Sequence, residues 1–331
     1  MTDQNSAHGA PVYAATIGTE NLARSIDFYT NQIGFEVVDR VILKGPAFTR
    51  HWKVAEDTTA EIAVLADRWE FGRIILIHWN GRAGLPIRNV PGQRCYGLIN
   101  LNFYSNDIER HTARIAAAGG HPWTEPTVHD MGPDIGEPIE VMIDGPDTII
   151  LNLITLQAKN PKARVRETGD YVANVLGYNK CGLTPVVTTQ HCVRDADKAL
   201  AFYQKVLGLG VRIDTVLKGE LMEKFMDYPP GAMTRDIYLY GKTIIGKIAV
   251  NQPLNFECSD IVPNAVPPNY GYMAQAFLVD DLVSALAHSQ SVGAELYSPA
   301  VELQLPGLGN TMTAIVRNPG SGALQELIEV S

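Results

Sequence analysis

Two charged residues interrupt otherwise apolar, strand-like stretches at matching places in a repeated pattern: Lys247 in IIGKIAV and Glu326 in ALQELIEV. Burying either charge alone costs several kcal/mol, so a partner or a ligand must compensate it. If both enter one hollow, they divide a proton transfer between them. Glu326 then removes or relays the proton, and Lys247 stabilises the developing oxyanion. An ordinary salt bridge or a solvent-facing pair is the plainer reading of the same two residues. Tyr270 and Tyr272 follow VPPN and lead into a strand, while Tyr238 and Tyr240 alternate along another. Tyr270, Tyr272 and Tyr240 are therefore candidate substrate contacts, able to hydrogen-bond or stack on a ring.

Other chemistries lack their residues. No GxGxxG follows a strand, and no GxxxxGK[ST] or GxSxG occurs, so neither a nucleotide cofactor nor a nucleophile elbow is expected. His51, His111, His121, His129 and His288 fall in loops or helices without HxH or HExxH spacing. Cys95, Cys181, Cys192 and Cys258 lie far apart and form no CxxC, which reads as reduced, mostly buried thiols.

The elements that must position these residues repeat. In DADKALAFYQKVLGL, Ala196, Ala199, Leu200, Tyr203 and Leu207 share one side of a helix. Asp195 can cap its first turn, and Gly208 can end it. A strand candidate precedes this helix and another follows. The same order recurs around ENLARSIDFYTNQIGF, NDIERHTARIAAAGG and DLVSALAHSQ. Four units of strand, helix and three strands describe the chain economically. Paired, they leave the helices outside and enclose a trough between sheets. Lys44 to Thr59 reads as an insertion or long loop, 218–232 and 252–270 as Pro-rich loops, and residues 1–10 as loose. A hairpin is expected to turn at Asp144-Gly145.

At 331 residues the chain suits two domains of about 150 residues each. We place the first at 1–158, a linker at 159–183 and the second at 184–331. With 27 basic and 36 acidic side chains the formal charge is −9, which disfavours nucleic acid and anionic membranes as partners. No apolar run approaches the roughly 20 residues of a membrane helix, and no basic-then-apolar leader opens the chain. A cytoplasmic protein with a small-molecule substrate is expected.

DADKALAFYQKVLGL and ENLARSIDFYTNQIGF resemble the first helix of the vicinal oxygen chelate superfamily, which includes glyoxalases, bleomycin-resistance proteins and extradiol dioxygenases. The resemblance implies an α+β fold, four βαβββ modules forming two tandem glyoxalase-like domains, and frequent pairing into homo-oligomers. It also implies that metal ligands come from the first and last strands of paired units. Those positions correspond here to Ala14, Asn100, Thr188 and Ala274, and to Ile77, Asn152, Lys247 and Glu326. The resemblance thus makes Thr188, Asn100 and Asn152 substrate contacts rather than ligands, with the first domain's trough a candidate for degeneration. The expected function is metal-independent isomerase- or lyase-type proton transfer on a small oxygenated, aromatic compound, with Glu326 and Lys247 catalytic and no cofactor. One alternative is an extradiol-type dioxygenase using Fe2+ or Mn2+ held by His191 and Glu326. The other is a non-catalytic small-molecule binding or resistance protein.

Overall fold

A computed structural model describes Gly9 and residues 11–330; the expectation for residues 1–8 and Ala10 lies outside the described residues. Four helices begin on an Asn or Asp whose carboxamide or carboxylate accepts from the backbone amide three residues on. These are Asn21 to Arg24 (3.1 Å), Asp107 to Arg110 (3.2 Å), Asp195 to Lys198 (3.0 Å) and Asp281 to Ser284 (3.0 Å). Each cap satisfies an amide the helix leaves orphaned, worth about 1 kcal/mol. The recurrence marks four structural units.

Unit 1 comprises β1 (Ala14–Gly18), α1 (Leu22–Phe28), β2 (Glu36–Leu43), α2 (Pro46–Trp52), β3 (Ala60–Ala66) and β4 (Arg73–Trp79). Unit 2 comprises β5 (Cys95–Tyr104), α3 (Ile108–Ala117), the short β6 (His121–Pro122) and β7 (Thr127–Val128), then β8 (Ile139–Asp144) and β9 (Ile150–Thr155). A connecting α4 (Arg164–Tyr171) continues into a π-helical turn, Val172–Leu176. Unit 3 comprises β10 (Thr188–Cys192), α5 (Ala196–Lys205), β11 (Gly210–Lys218), α6 (Glu220–Met226), β12 (Met233–Tyr240) and β13 (Lys247–Pro253). After β14 (Ser259–Asp260), unit 4 comprises β15 (Gly271–Leu278), α7 (Leu282–Ser291), β16 (Glu295–Leu305), β17 (Gly309–Arg317) and β18 (Leu324–Val330).

The units do not pair in sequence order. β1 runs antiparallel beside β15, joining units 1 and 4 in one sheet, β16-β17-β18-β15-β1-β4-β3-β2. β5 runs antiparallel beside β10, joining units 2 and 3 in the other, β11-β12-β13-β10-β5-β9-β8-β6. Each sheet thus draws on both sides of the 159–183 connection, and Val172 and Leu176 from that connection are buried against Tyr13, Tyr104 and Val187.

Strand alternation divides each sheet into two faces. One is covered by helices: Phe202 and Tyr203 of α5 pack with Ile237, Ile248 and Val250. The opposite face forms a trough. The stretch expected to be an insertion or loop at 44–59 contains α2, and 218–232 contains α6. Both helices start after a Gly with positive φ (Gly45 93°, Gly219 102°) and end on a left-handed residue (Lys53, Asp227). α2 packs on β16 of unit 4, and α6 contacts both β11 and β8. Each therefore bridges the two units that make its trough. The 144–150 connection turns through Pro146–Thr148, with Asp147 and Thr148 left-handed.

Candidate active site

Parallel pairing of first and last strands sets the repeat register. Thr188 lies beside Lys247 and Ala14 beside Arg73. Asn102 lies beside Asn152 and Ala276 beside Glu326. Glu326 is thus the counterpart of Asn152, as the alignment drawn from sequence has it, whereas Lys247 is the counterpart of Arg73 and Ile150, two residues before that level. A shift of two keeps the face, so both charges still enter troughs. Because unit 3 pairs with unit 2 and unit 4 with unit 1, they enter different ones.

In the trough of units 1 and 4, Glu326 is already partnered. Its Oε1 lies 2.9 Å from Nε2 of the fully buried His51 on α2 and accepts from Thr313 Oγ at 3.2 Å. Trp52, Leu305 and Leu308 crowd the remaining space, leaving a cavity of about 20 Å³ beside Thr16 and Ile75. That is room for about one water.

The trough of units 2 and 3 is different in kind. Asn100, Asn102, Asn152 and Thr188 from the central strands, and Asp236 and Asn251 from β12 and β13, are all buried on it. Oδ1 of Asn100, Asn102, Asn152, Asp236 and Asn251 has no protein partner, nor has the amide nitrogen of Gln190. Buried polar atoms are normally satisfied, each exception costing about 1–3 kcal/mol. A cluster of them on one wall marks a surface made for a polar ligand or ordered water.

Three ionisable groups share that wall. Lys247, 3% exposed, donates to the Tyr104 hydroxyl, with the rings of Tyr104 and Tyr240 4.9 and 5.1 Å from Nζ. Burial, with the nearby Arg212 charge, lowers its ammonium to about 7, against the attraction of Glu140. Glu140 on β8 is partly buried and accepts from Asn152 Nδ2 at 2.7 Å. Desolvation lifts it to about 7, opposed by that hydrogen bond and by Lys247. Asp236 is likewise raised to about 7, by burial and by the Glu140 charge, against a hydrogen bond from Tyr238. Three groups poised near neutrality within one polar recess can exchange protons with a bound molecule.

Residues 12–138 match the sequence profile of the Glyoxalase/Bleomycin resistance protein/Dioxygenase superfamily. That match takes in the first structural unit and the second as far as β7, well under half of the chain. The superfamily's architecture extends over the rest of the chain. Glyoxalase I from Zea mays superposes with a TM-score of 0.59 at 17% identity, covering 97% of this chain and 92% of that one. A putative dioxygenase from Bacillus subtilis superposes at 0.57 and 12% identity, covering 98% and 86%. No curated protein matched the sequence.

The superfamily's metal centre does not fit the donor sets found here. The trough of units 1 and 4 offers Glu326 and the His51 already bound to it, surrounded by Ala14, Ala274 and Ile77. The trough of units 2 and 3 offers amides, a hydroxyl and the Lys247 ammonium at the strand positions. Among the described residues no three His, Cys, Asp or Glu side chains converge as a cage. His191 and Glu326, the alternative ligand pair, are on different sheets. His191 faces the helices because its neighbour Gln190 takes the trough side, and its ring contacts Tyr203 OH at 2.6 Å and Ser321 Oγ at 2.5 Å. Burial pushes it down to about 3.

The expected site residues therefore separate. Lys247, Thr188, Tyr240, Asn100 and Asn152 come together in the trough of units 2 and 3. Glu326 stands in the other trough. Tyr272 packs on the helix side with Ala15 and Ile17, because a register shift after Thr16 sets it opposite Ile17. Tyr270 borders the 85–87 connection, where its backbone pairs with Leu85 and Ile87. Glu140, Asn102, Tyr104 and Asp236 were missed. The alternation Ile139, Glu140, Val141, Met142, Ile143 does carry the signal that Glu140 shares a face with Met142, away from the buried Val141 and Ile143. The sequence also repeats Leu-Lys-Gly at 43–45 and 217–219, just where α2 and α6 begin.

Proposed function

We propose that this protein is an enzyme that moves a proton on a small, polar, oxygenated compound, without a metal, in the trough of units 2 and 3. Glu140 is the base and Lys247 the electrostatic partner. Glu140 takes a proton from a carbon next to a carbonyl. Lys247, held by Tyr104, stabilises the negative charge that develops on oxygen. The amides of Asn100, Asn102 and Gln190 orient the substrate's oxygens, and Tyr240 supplies an aromatic wall. Proton return from Glu140 to the same or a neighbouring carbon gives isomerisation; loss of a leaving group gives elimination.

The observation that carries this reading is the meeting of Glu140 and Lys247, both poised near neutrality, on a wall of buried amide oxygens without protein partners. The test is solvent-deuterium exchange followed by NMR, on small hydroxy and keto compounds first selected by thermal shift. Wild type exchanges a carbon-bound proton of a bound compound. Glu140→Gln retains binding and loses exchange by about 10²-fold or more, the scale of general-base catalysis. Exchange unaffected by Glu140→Gln removes the base, and binding without exchange in wild type makes the protein a ligand-sequestering one.

A further inference from the structure

Three of the four cysteines, distant in sequence, meet at one end of the polar trough. Cys192 ends β10 opposite Gly97 of β5, and Cys95 begins β5 opposite Ser259 of β14, the residue after Cys258. An Arg194–Asp260 ion pair of 2.8 Å, between residues two beyond Cys192 and two beyond Cys258, clamps the two segments side by side. The strand register and this ion pair set Cys192 and Cys258 on neighbouring segments around the start of β5. Two residues before Cys258, Phe256 packs on Tyr228 with ring centroids 4.7 Å apart, just beyond α6.

The two thiols are chemically unequal. Cys258 is partly exposed, whereas Cys192 is fully buried. Interaction with the Cys192 thiol holds the Cys258 thiol below its usual range, aided by Arg94 and Arg194 against desolvation and Glu257. The same interaction and burial keep Cys192 protonated. Cys95, pushed up to about 12 by burial, is an inert bystander. An accessible thiol with a lowered pKa beside a shielded one is the arrangement of an attacking and a resolving cysteine.

We propose that Cys258 and Cys192 are a thiol modification site, converted to an intramolecular disulfide by a low-molecular-weight disulfide such as oxidised glutathione. The Cys258 thiolate attacks one glutathione sulfur, forming a mixed disulfide and releasing a glutathione thiolate. Cys192 then attacks Cys258 Sγ, its proton passing to the second departing glutathione thiolate. The two protein thiols are oxidised by two electrons, and one glutathione disulfide is reduced to two glutathiones. The crosslink ties the 254–260 segment to the strand that carries Thr188 and Gln190. The site does not depend on what the trough binds.

Reduced full-length protein is incubated under native conditions with oxidised glutathione, and free thiols are counted by alkylation before non-reducing peptide mapping. Free thiols fall from four to two, the Cys192 and Cys258 peptides are crosslinked, and no glutathione is retained. Cys192→Ser keeps one glutathione on Cys258, while Cys258→Ser keeps all three of its thiols. Four thiols persisting in wild type, a Cys95–Cys258 link, an unresolved mixed disulfide, or modification of Cys181 with Cys258 left free would each overturn the proposal.

Discussion

Asn152 donates its side-chain amide to the Glu140 carboxylate at 2.7 Å across the neighbouring strands β9 and β8. The bond favours the charged carboxylate and opposes the desolvation that lifts Glu140 to about 7. It leaves Asn152 Oδ1 directed at no protein group. Asn152 therefore orients the Glu140 carboxylate and restrains the rise of its pKa.

Removing that amide raises Glu140 further. A hydrogen bond to a charged group is worth about 1.5–3 kcal/mol, so Asn152→Ala moves the Glu140 titration upward by about 1–2 pH units. Carbon-13 NMR of the glutamate carboxyls measures it. A titration that stays in place or moves down contradicts the assignment.

The three poised groups impose an unusual pH dependence on stability. Glu140 and Asp236 titrate near 7 in the fold but near 4.5 and 3.8 when unconstrained. Between those values the folded chain holds more protons than the unfolded one, so their contribution is complete at low pH and is lost as pH rises through 7. Lys247 titrates near 7 folded and near 10.5 free. In that window the unfolded chain holds more protons, so stability recovers as pH climbs from 7 towards 10.5. Their joint contribution is thus lowest near neutrality. Urea midpoints across pH 4.5–10 should show Glu140→Gln with Asp236→Asn flattening the acidic limb, and Lys247→Met the alkaline limb. Unchanged limbs in both variants would show that these groups are not buried as described.

Local pattern carried the units and not their partners. The caps at Asn21, Asp107, Asp195 and Asp281, each before an amphipathic stretch, are local signals, and the four-unit reading follows from them. Which unit sits beside which depends on β1 meeting β15 across more than 250 residues, and no periodicity within a unit encodes that choice. Both βαβββ halves would bury similar apolar faces in either pairing, so Lys247 and Glu326 looked like partners. Register was the second limit. Lys247 opens its strand while Glu326 is its strand's third residue, and only the hydrogen-bonded ladder distinguishes them. Glu140 was legible in the alternation of its strand, but its partners come from β9 and β13 and could not be matched to it locally.

His51 and Glu326 are expected to act on stability. Removing one partner of a buried pair leaves an uncompensated charge or orphaned donor and costs about 3–5 kcal/mol. His51→Ala should lower the urea midpoint accordingly and leave ligand binding in the trough of units 2 and 3 unaltered. Glu326→Gln, which keeps a hydrogen-bond acceptor for His51, should cost less. A loss of proton exchange in Glu326→Gln with stability intact would return catalysis to the other trough.

Trp52 decides whether that second trough is open. Its ring is 3% exposed and lies edge-on to Trp79 at 5.9 Å, while its carbonyl accepts from Tyr297 OH at 3.2 Å. Truncating such a residue in a packed interior costs about 3–5 kcal/mol, part of it from the cavity left behind. The walls exposed by Trp52→Ala are mostly apolar, Ile62, Ile75, Ile77, Leu305 and Ile328, with Thr16 and the His51-bound Glu326 as the polar members, so the space suits a small hydrocarbon. Benzene at a hundred times its dissociation constant would then restore about 2.7 kcal/mol. Calorimetry should show the variant's Tm rising with benzene while wild type's does not. If Tm stays fixed, α2 has collapsed into the space, and the helix rather than the tryptophan ring is what fills the trough.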